Sequence, residues 1–369
     1  MSKKNLKWGY TTGSCAAGAV KGAVTLLLLG QKLEKTTLLT PKGITLHLDL
    51  INCGYDGEKT VCGVKKDSGD DPDVTNGIVI YATAQKVEKG IVIEGGEGIG
   101  RVSKKGLQQP VGSAAINNVP RQMITKCIHE IAALAEYDGG IAVTIWTPQG
   151  KEIAKKTYNP RLGIVDGISI LGTSGIVEPM SEKALIDSIL VELNMKAVNS
   201  NGSLILTPGN YGSAFLKREY GMDVDKAVKI SNFVGEVLDA VKELPLQSIL
   251  LAGHIGKLVK IAGGVMQTHS KYADCRMEII GVHGAMAGAD SKTVKNIMEC
   301  ITTEEALLLL QQKGMLQKTM DSILKKILEH IKYRLGENTN IEIIVFSEKM
   351  GLLAQTKGVQ AFLKNEKQQ

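Results

Sequence analysis

Strands alternating with helices in the second half, a strand-rich first half with glycine-dense loops, and a polar linker at Asn199-Ser200-Asn201-Gly202 together predict two domains. Residues 1–200 are expected to form an α+β domain, and residues 201–369 an α/β, Rossmann-like domain with a mainly parallel sheet. At 369 residues the chain is longer than one compact core ordinarily serves. Hydrophobic residues make up 43% and aromatics only 4%, so burial rests on Val, Ile, Leu and Ala, and rings for stacking nucleic-acid bases are scarce. The net charge of +6 is spread along the chain without a basic stripe, which argues against a nucleic-acid partner and suits a small anionic substrate.

The first element is a helix. Val20, Ala23, Val24, Leu27 and Leu28 recur on one face, and Thr11, Thr12 and Ser14 supply hydroxyls where a cap is needed. With Gly13, the same start offers backbone N–H groups to an anion; an ordinary cap is the other reading. The longest apolar run, Ala23–Leu29, is too short for a bilayer span, and no cleavage site follows it, so neither a membrane segment nor a signal peptide is expected. A hairpin then runs through Thr36–Thr40, the turn Pro41-Lys42-Gly43 and Ile44–Leu50. A helix through Met123, Cys127, Ile131 and Leu134, a strand Ile141–Thr147, the turn Pro148-Gln149-Gly150 and a further strand follow the same order, which suggests an internal duplication.

Two loops lie between these copies. Lys66–Gly77 crowds Asp67, Asp70, Asp71 and Asp73 together, which costs free energy unless the carboxylates are paired or hydrogen-bonded. The spacing fails the EF-hand pattern; a solvated turn, a general base and a carboxylate holding a ribose diol are all open readings. Ile91–Arg101 is a strand entering E-x-G-x-G-x-G at Gly96, Gly98 and Gly100. That turn matches a nucleotide-binding fingerprint on its face, but Gly106 and Pro110 forbid the helix that should follow. Close backbone contact with a ligand remains a reading for it. The stretch Asn159–Ser181 is similarly dense in glycine, at Gly163, Gly167, Gly172 and Gly175 around Thr173 and Ser174, and reads either as a ligand-hugging backbone or as a tight crossover.

In the second half, strands at Leu204–Leu206, Val228–Ile230, Ile249–Ala252 and Ile341–Phe346 end in Gly, Asn, Ser or His residues, where ligands gather in parallel sheets. After the third, a helix starting near His254 places Lys257 and Lys260 one turn apart, with His269 beyond. Such a group suits a polycarboxylate, or is a plain lysine-bearing surface face. The six cysteines form no CxxC pair and the six histidines no HExxH, so reduced thiols, a cytoplasmic protein and no structural metal are expected.

Seven blocks carry a resemblance in order: GYTTGSCAAGA (Gly9–Ala19), KDSGDDPDVTNG (Lys66–Gly77), GEGIGRV (Gly96–Val102), PVGSAAINNVPRQMI (Pro110–Ile124), NPRLGIVDGISILGTSGIVEPMS (Asn159–Ser181), ISNFVGEVL (Ile230–Leu238) and the region Ala252–Asp274 with AGHIGKLVKIAGG, THS and AD. The chain resembles the CbiD family; beyond Asp274 the likeness is thin. It departs at Ala114 and Asn118, where the family usually has proline, at Asp166, where it tends to have glycine, and at Gly18 within the alanine run. The resemblance implies methylation of C1 of cobalt-precorrin-5B, giving cobalt-precorrin-6A in anaerobic cobalamin biosynthesis, with S-adenosylmethionine as donor.

Such a substrate is flat, apolar at its centre and fringed with carboxylates. It implies a cationic rim, for which Arg101, Arg121 and Arg161 in the Gly- and Pro-rich blocks, with Lys257, Lys260 and His269, are the candidates. Asp70, Asp71, Asp73 and His254 are the candidate proton acceptors, and Thr11–Ser14, Gly96, Gly98, Gly100 and Gly172–Gly175 the candidate donor contacts. A non-catalytic tetrapyrrole carrier and a small-molecule phosphotransferase are the alternatives, and a homo-oligomer is compatible with either.

Overall fold

The computed structural model describes residues 6–336 and 338–367, which divide into two units, Met1–Glu182 and Lys183–Gln369. The first contains β1 (Gly9–Tyr10), α1 (Thr12–Leu29), β2 (Lys35–Leu39), β3 (Thr45–Asp56), β4 (Lys59–Lys65), β5 (Val79–Val87), β6 (Ile91–Gly95) and β7 (Arg101–Val102). It continues through α2 (Asn118–Leu134), β8 (Gly140–Trp146), α3 (Gly150–Ala154), β9 (Ile164–Val165) and β10 (Ile176–Val177). Six strands form one sheet in the order β2-β3-β4-β5-β8-β6, antiparallel except for the parallel pair β6 and β8.

Helix α1 is built of small residues and is buried along nearly its whole length from Thr12 to Leu26. A Cβ on Gly18 would fall 2.6 Å from Leu48 Cδ1, and one on Gly22 would fall 2.7 Å from Leu50 Cδ1, so these positions set how closely the helix lies on β3. By length and composition α1 could cross a membrane, but 78% of the qualifying window is buried. Cys15, Ala16, Val20 and Val24 instead share one core with Ile80 and Ala82 of the sheet and with Ile124, Cys127 and Ile131 of α2.

Two expectations are corrected here. Gly150 N–H bonds to Thr147 O at 3.0 Å and the chain continues as α3, so a helix, not a strand, directly follows the Pro148-Gln149-Gly150 turn. The second copy therefore lacks the hairpin of the first, and the strand pairing does not repeat. The other correction concerns the cysteines. A bulge between Ile51 and Gly54 sets Asn52 and Cys53 against Cys62 across β3 and β4, and Cys53 and Cys62 are joined as a disulfide, with Cα atoms 4.1 Å apart. Cys15, Cys127, Cys275 and Cys300 are free thiols.

The second unit contains α4 (Glu182–Val198), β11 (Ser203–Thr207), α5 (Asn210–Tyr220), β12 (Ala227–Lys229), α6 (Val234–Val241), β13 (Ser248–His254) and α7 (Ile255–Ala262). It goes on with α8 (Arg276–Met286), α9 (Ser291–Met298), α10 (Thr303–Gln312), α11 (Leu316–Leu335), β14 (Asn340–Ser347), β15 (Gly351–Gln355) and α12 (Val359–Lys367). The division falls at the first residue of α4, between Glu182 and Lys183, and not after the helix at the Asn199–Gly202 linker, because Ile189, Leu193 and Ala197 of α4 pack into the core of this unit.

The sheet order is β12-β11-β13-β14-β15; the first four strands are parallel and β15 is antiparallel to β14. Leu204, Leu206, Ile249, Leu251, Ile341 and Ile343 face one core with α4, α6, α7 and α11. Ile205, Leu250, Ala252, Ile344 and Phe346 face a second with Phe215 of α5 and Phe362 of α12. Apolar residues therefore point to both faces of these strands, with Glu342 of β14 the interruption, since both faces are covered.

Candidate functional site

The glycine-rich blocks of the first unit converge, and what they approach is one another. A Cβ on Gly98 would lie 1.9 Å from Thr147 O, one on Gly150 2.0 Å from Gly98 O, and one on Gly167 2.4 Å from Gly98 O. Ile168 N–H bonds to Gly98 O at 2.9 Å and Gly100 N–H to Ile168 O at 2.8 Å, tying the two blocks together. A Cβ on Gly96 would meet Thr144 Cγ2 at 2.9 Å, and one on Gly172 would meet Thr11 Oγ1 at 2.3 Å. Asp166 adopts φ 63°, a left-handed backbone that its side chain tolerates.

The start of α1 is closed in the same way. Thr11 Oγ1 accepts from Ser14 N–H at 3.2 Å, Gly13 N–H is given to Leu171 O at 3.0 Å, and Ser14 Oγ donates to Gly175 O at 2.7 Å. Leu171 N–H bonds to Thr12 Oγ1 at 3.0 Å, while Ser174 Oγ donates to Ile176 O at 2.9 Å and Thr173 is exposed. The N–H groups of Gly13 and Ser14, expected to be free for an anion, are thus taken by this chain.

The acidic loop is not a pool of like charges. Asp67 meets Lys7 Nζ at 2.6 Å, Asp70 accepts from Lys7 N–H at 2.7 Å, and Asp71 accepts from Met180 N–H at 3.0 Å. Asp73 pairs at 2.6 Å with Lys66, whose side chain is 1% exposed, and accepts from Thr75 N–H and Oγ1 at 2.8 and 2.7 Å. Burial pushes the Asp73 carboxyl up, but the Lys66 ammonium and the hydrogen bonds from Lys66 and Thr75 outweigh it and hold the group below its ordinary value. A carboxylate so held is a poor proton acceptor.

Of the three arginines, Arg121 is committed: its Nε donates to Ile116 O at 2.9 Å and its Nη1 to Ile93 O at 3.0 Å. Arg101 pairs with Glu94 at 2.7 Å and keeps a side chain that is 40% exposed. Arg161 is exposed, with its guanidinium 5.9 Å from the Tyr158 ring centre.

In the second unit, His254 ends β13 and caps α7, as the sequence predicts. Its Nδ1 accepts Gly256 N–H at 3.1 Å and its Nε2 lies 3.0 Å from Glu304 Oε1, so the ring carries its proton on Nε2 and both nitrogens are engaged. Lys257 and Lys260 share one helix but diverge. Lys257 Nζ donates to Ser231 O at 3.2 Å; burial, then the neighbouring Lys260, lowers its pKa. Lys260 is buried and donates to Thr268 O and Ala273 O at 3.2 and 2.9 Å. His269 is exposed and accepts Lys271 N–H at 3.1 Å.

Beside His254 lies a hollow of about 340 Å³ lined by Tyr211, His254, Thr302, Glu304, Glu348 and Lys349. Sequence reasoning missed Tyr211, Glu304 and Glu348. For Tyr211 and Glu348 the available signal was position, a few residues past the ends of β11 and β14. Among the described residues, no group of three or more His, Cys, Asp or Glu is placed to hold a metal ion.

Two family models match the chain, CbiD over residues 1–179 and the CbiD C-terminal domain over residues 267–357, the latter reaching a region where the sequence likeness was thin. A cobalt-precorrin-5B C(1)-methyltransferase from Ruminiclostridium cellulolyticum is 51% identical over 94% of this chain and 90% of its own length. One of the same name from Alkaliphilus metalliredigens is 44% identical over 95% of this chain and 92% of its own. A crystal structure of the cobalamin biosynthesis protein CbiD from Archaeoglobus fulgidus is 28% identical, covers 73% of this chain and 83% of that one, and superposes with a TM-score of 0.40. With 51% identity to a relative over 345 aligned residues, nearly end to end, the chain belongs to the CbiD family.

Proposed function

We propose that the chain is a cobalt-precorrin-5B C1-methyltransferase that takes its methyl group from S-adenosylmethionine. The observation that carries this reading is the match to methyltransferases of that name over nearly the full length of both partners. In the reaction, the C1 electron pair forms the new carbon–carbon bond while the sulfur–methyl bond breaks with its pair left on sulfur. The donor leaves as a neutral thioether, and the ring, now one charge more positive, sheds a proton. Alignment of methyl and carbon with exclusion of water supplies most of the acceleration such a step needs. A Rossmann-like character for the second unit and a cytoplasmic location belong to the same reading; the parallel order β12-β11-β13-β14 supports the first.

The converging glycine loops act as a framework, because their close approaches are met by the chain's own backbone and side chains. Arg101 and Arg161, which reach solvent, are assigned to the substrate's carboxylate fringe. Incubating the protein anaerobically with methyl-labelled donor and cobalt-precorrin-5B is expected to place label in the tetrapyrrole. Retention of the tetrapyrrole without label would point to a carrier, and neither result to another chemistry. Arg161→Gln is expected to weaken tetrapyrrole retention by about 1.5–3 kcal/mol, the worth of a charged hydrogen bond, with an unaltered unfolding midpoint. Unchanged retention in a filter-binding or fluorescence titration would remove Arg161 from the fringe.

A further inference from the structure

The hollow beside His254 stands where three parallel strands end. Tyr211 lies in the first turn of α5 after β11, His254 closes β13, and Glu348 and Lys349 follow β14. The chain leaves β11 for β12 on one side of it and returns to β13 on the other, so the carboxyl ends of β11 and β13 flank the point where strand order reverses. Crevices at such points are the usual ligand sites of open parallel sheets. A volume of about 340 Å³ lies at the lower end of the range for small-molecule pockets.

Its charge selects between the two substrates of the proposed reaction. Glu304 and Glu348 contribute carboxylates against the single ammonium of Lys349, and His254 Nδ1 is occupied in accepting a backbone N–H. Glu304 is fixed: His254 Nε2 lies 3.0 Å from its Oε1, Thr303 Oγ1 donates to its Oε2 at 3.0 Å, and Ser347 Oγ donates to its Oε1 at 3.3 Å. Burial pushes this carboxyl up, but those hydrogen bonds, that of its own backbone N–H and the His254 ring hold it below the ordinary value. A polycarboxylate macrocycle is repelled by such a lining, whereas a ligand with a sulfonium and an α-ammonium against one carboxylate is attracted. Tyr211, 59% exposed with its ring centre 6.2 Å from that of His254, presents an open aromatic face to a nucleobase.

We propose that this hollow binds the methyl donor, with adenine against Tyr211 and the cationic sulfonium and ammonium toward Glu304 and Glu348. The inference rests on the methyltransferase reading and assigns the donor to residues of the second unit. The probes are S-adenosylmethionine and its neutral product S-adenosylhomocysteine, titrated calorimetrically into the full chain. Tyr211→Ala is expected to weaken both about tenfold, the loss of one stacked base. Glu348→Gln, at an exposed position, is expected to weaken the sulfonium ligand about threefold and to leave the neutral thioether within experimental error. Unaltered unfolding midpoints confirm that both variants fold. If wild type and both variants bind the donor with equal affinity, the donor site lies elsewhere and the methyltransferase reading stands. If wild type binds neither probe, the methyltransferase reading fails and this placement with it.

Discussion

Asp73→Asn is expected to lower the unfolding free energy by about 3–5 kcal/mol at neutral pH, the usual cost of stripping one partner from a buried ion pair. The reason is the Lys66 ammonium, on a side chain that is 1% exposed and 2.6 Å from Asp73 Oδ2. Ser68 Oγ is its other partner, and a neutral hydroxyl cannot balance the charge. The substitution also turns an acceptor of Thr75 N–H and Oγ1 into a group that must choose which face to present. The effect carries a pH signature. Because the folded-state pKa of Asp73 lies below its unfolded value of about 3.9, its contribution is complete above that value and is lost as pH falls through the folded pKa. Wild type and Asp73→Asn should therefore differ most near neutrality and converge in acid. Urea unfolding at neutral and acid pH measures this. A cost under about 1 kcal/mol at neutral pH would mean that the pair does no more than a surface salt bridge.

The same loop shows what a sequence can and cannot disclose. Four nearby aspartates are visible as a problem in electrostatics, but their solutions come from Lys7, Lys66 and the Met180 N–H, two of which lie far along the chain. Local patterns fared well. The capping hydroxyls of α1, the Pro41-Lys42-Gly43 hairpin, the covered parallel strands of the second unit and the helix start at His254 all follow from spacing within a few residues. Glycine density was legible as a demand for close approach, but the identity of the approaching group was not, since a ligand and a second stretch of backbone impose the same loss of side chains. The hollow beside His254 left almost no trace, because Tyr211, Glu304 and Glu348 share no motif and meet only where separate strands end.

Gly98 offers the sharpest test of the framework. Its φ of 73° alone penalises any other residue, and its missing Cβ would lie 1.9 Å from Thr147 O and 3.1 Å from Gly150 Cα, backbone atoms that cannot swing aside. Thr147 is itself held by its N–H bond to Glu97 O at 2.9 Å, so relief requires the whole crossing to open. Gly98→Ala is accordingly expected to cost about 4 kcal/mol or more, in the range reserved for severe lesions, or to prevent accumulation of folded protein. Gly112→Ala separates the causes: its φ is 89°, but nothing lies within 4 Å of the added methyl, so only the left-handed strain of about 1–2 kcal/mol should register. Gly167→Ala completes the set from the other side, since its φ is not left-handed and its Cβ would lie 2.4 Å from Gly98 O. The expected order of destabilisation in thermal or urea unfolding is Gly98, then Gly167, then Gly112. Equal costs at Gly98 and Gly112 would show that backbone conformation, not the crossing of the two loops, is what these glycines serve.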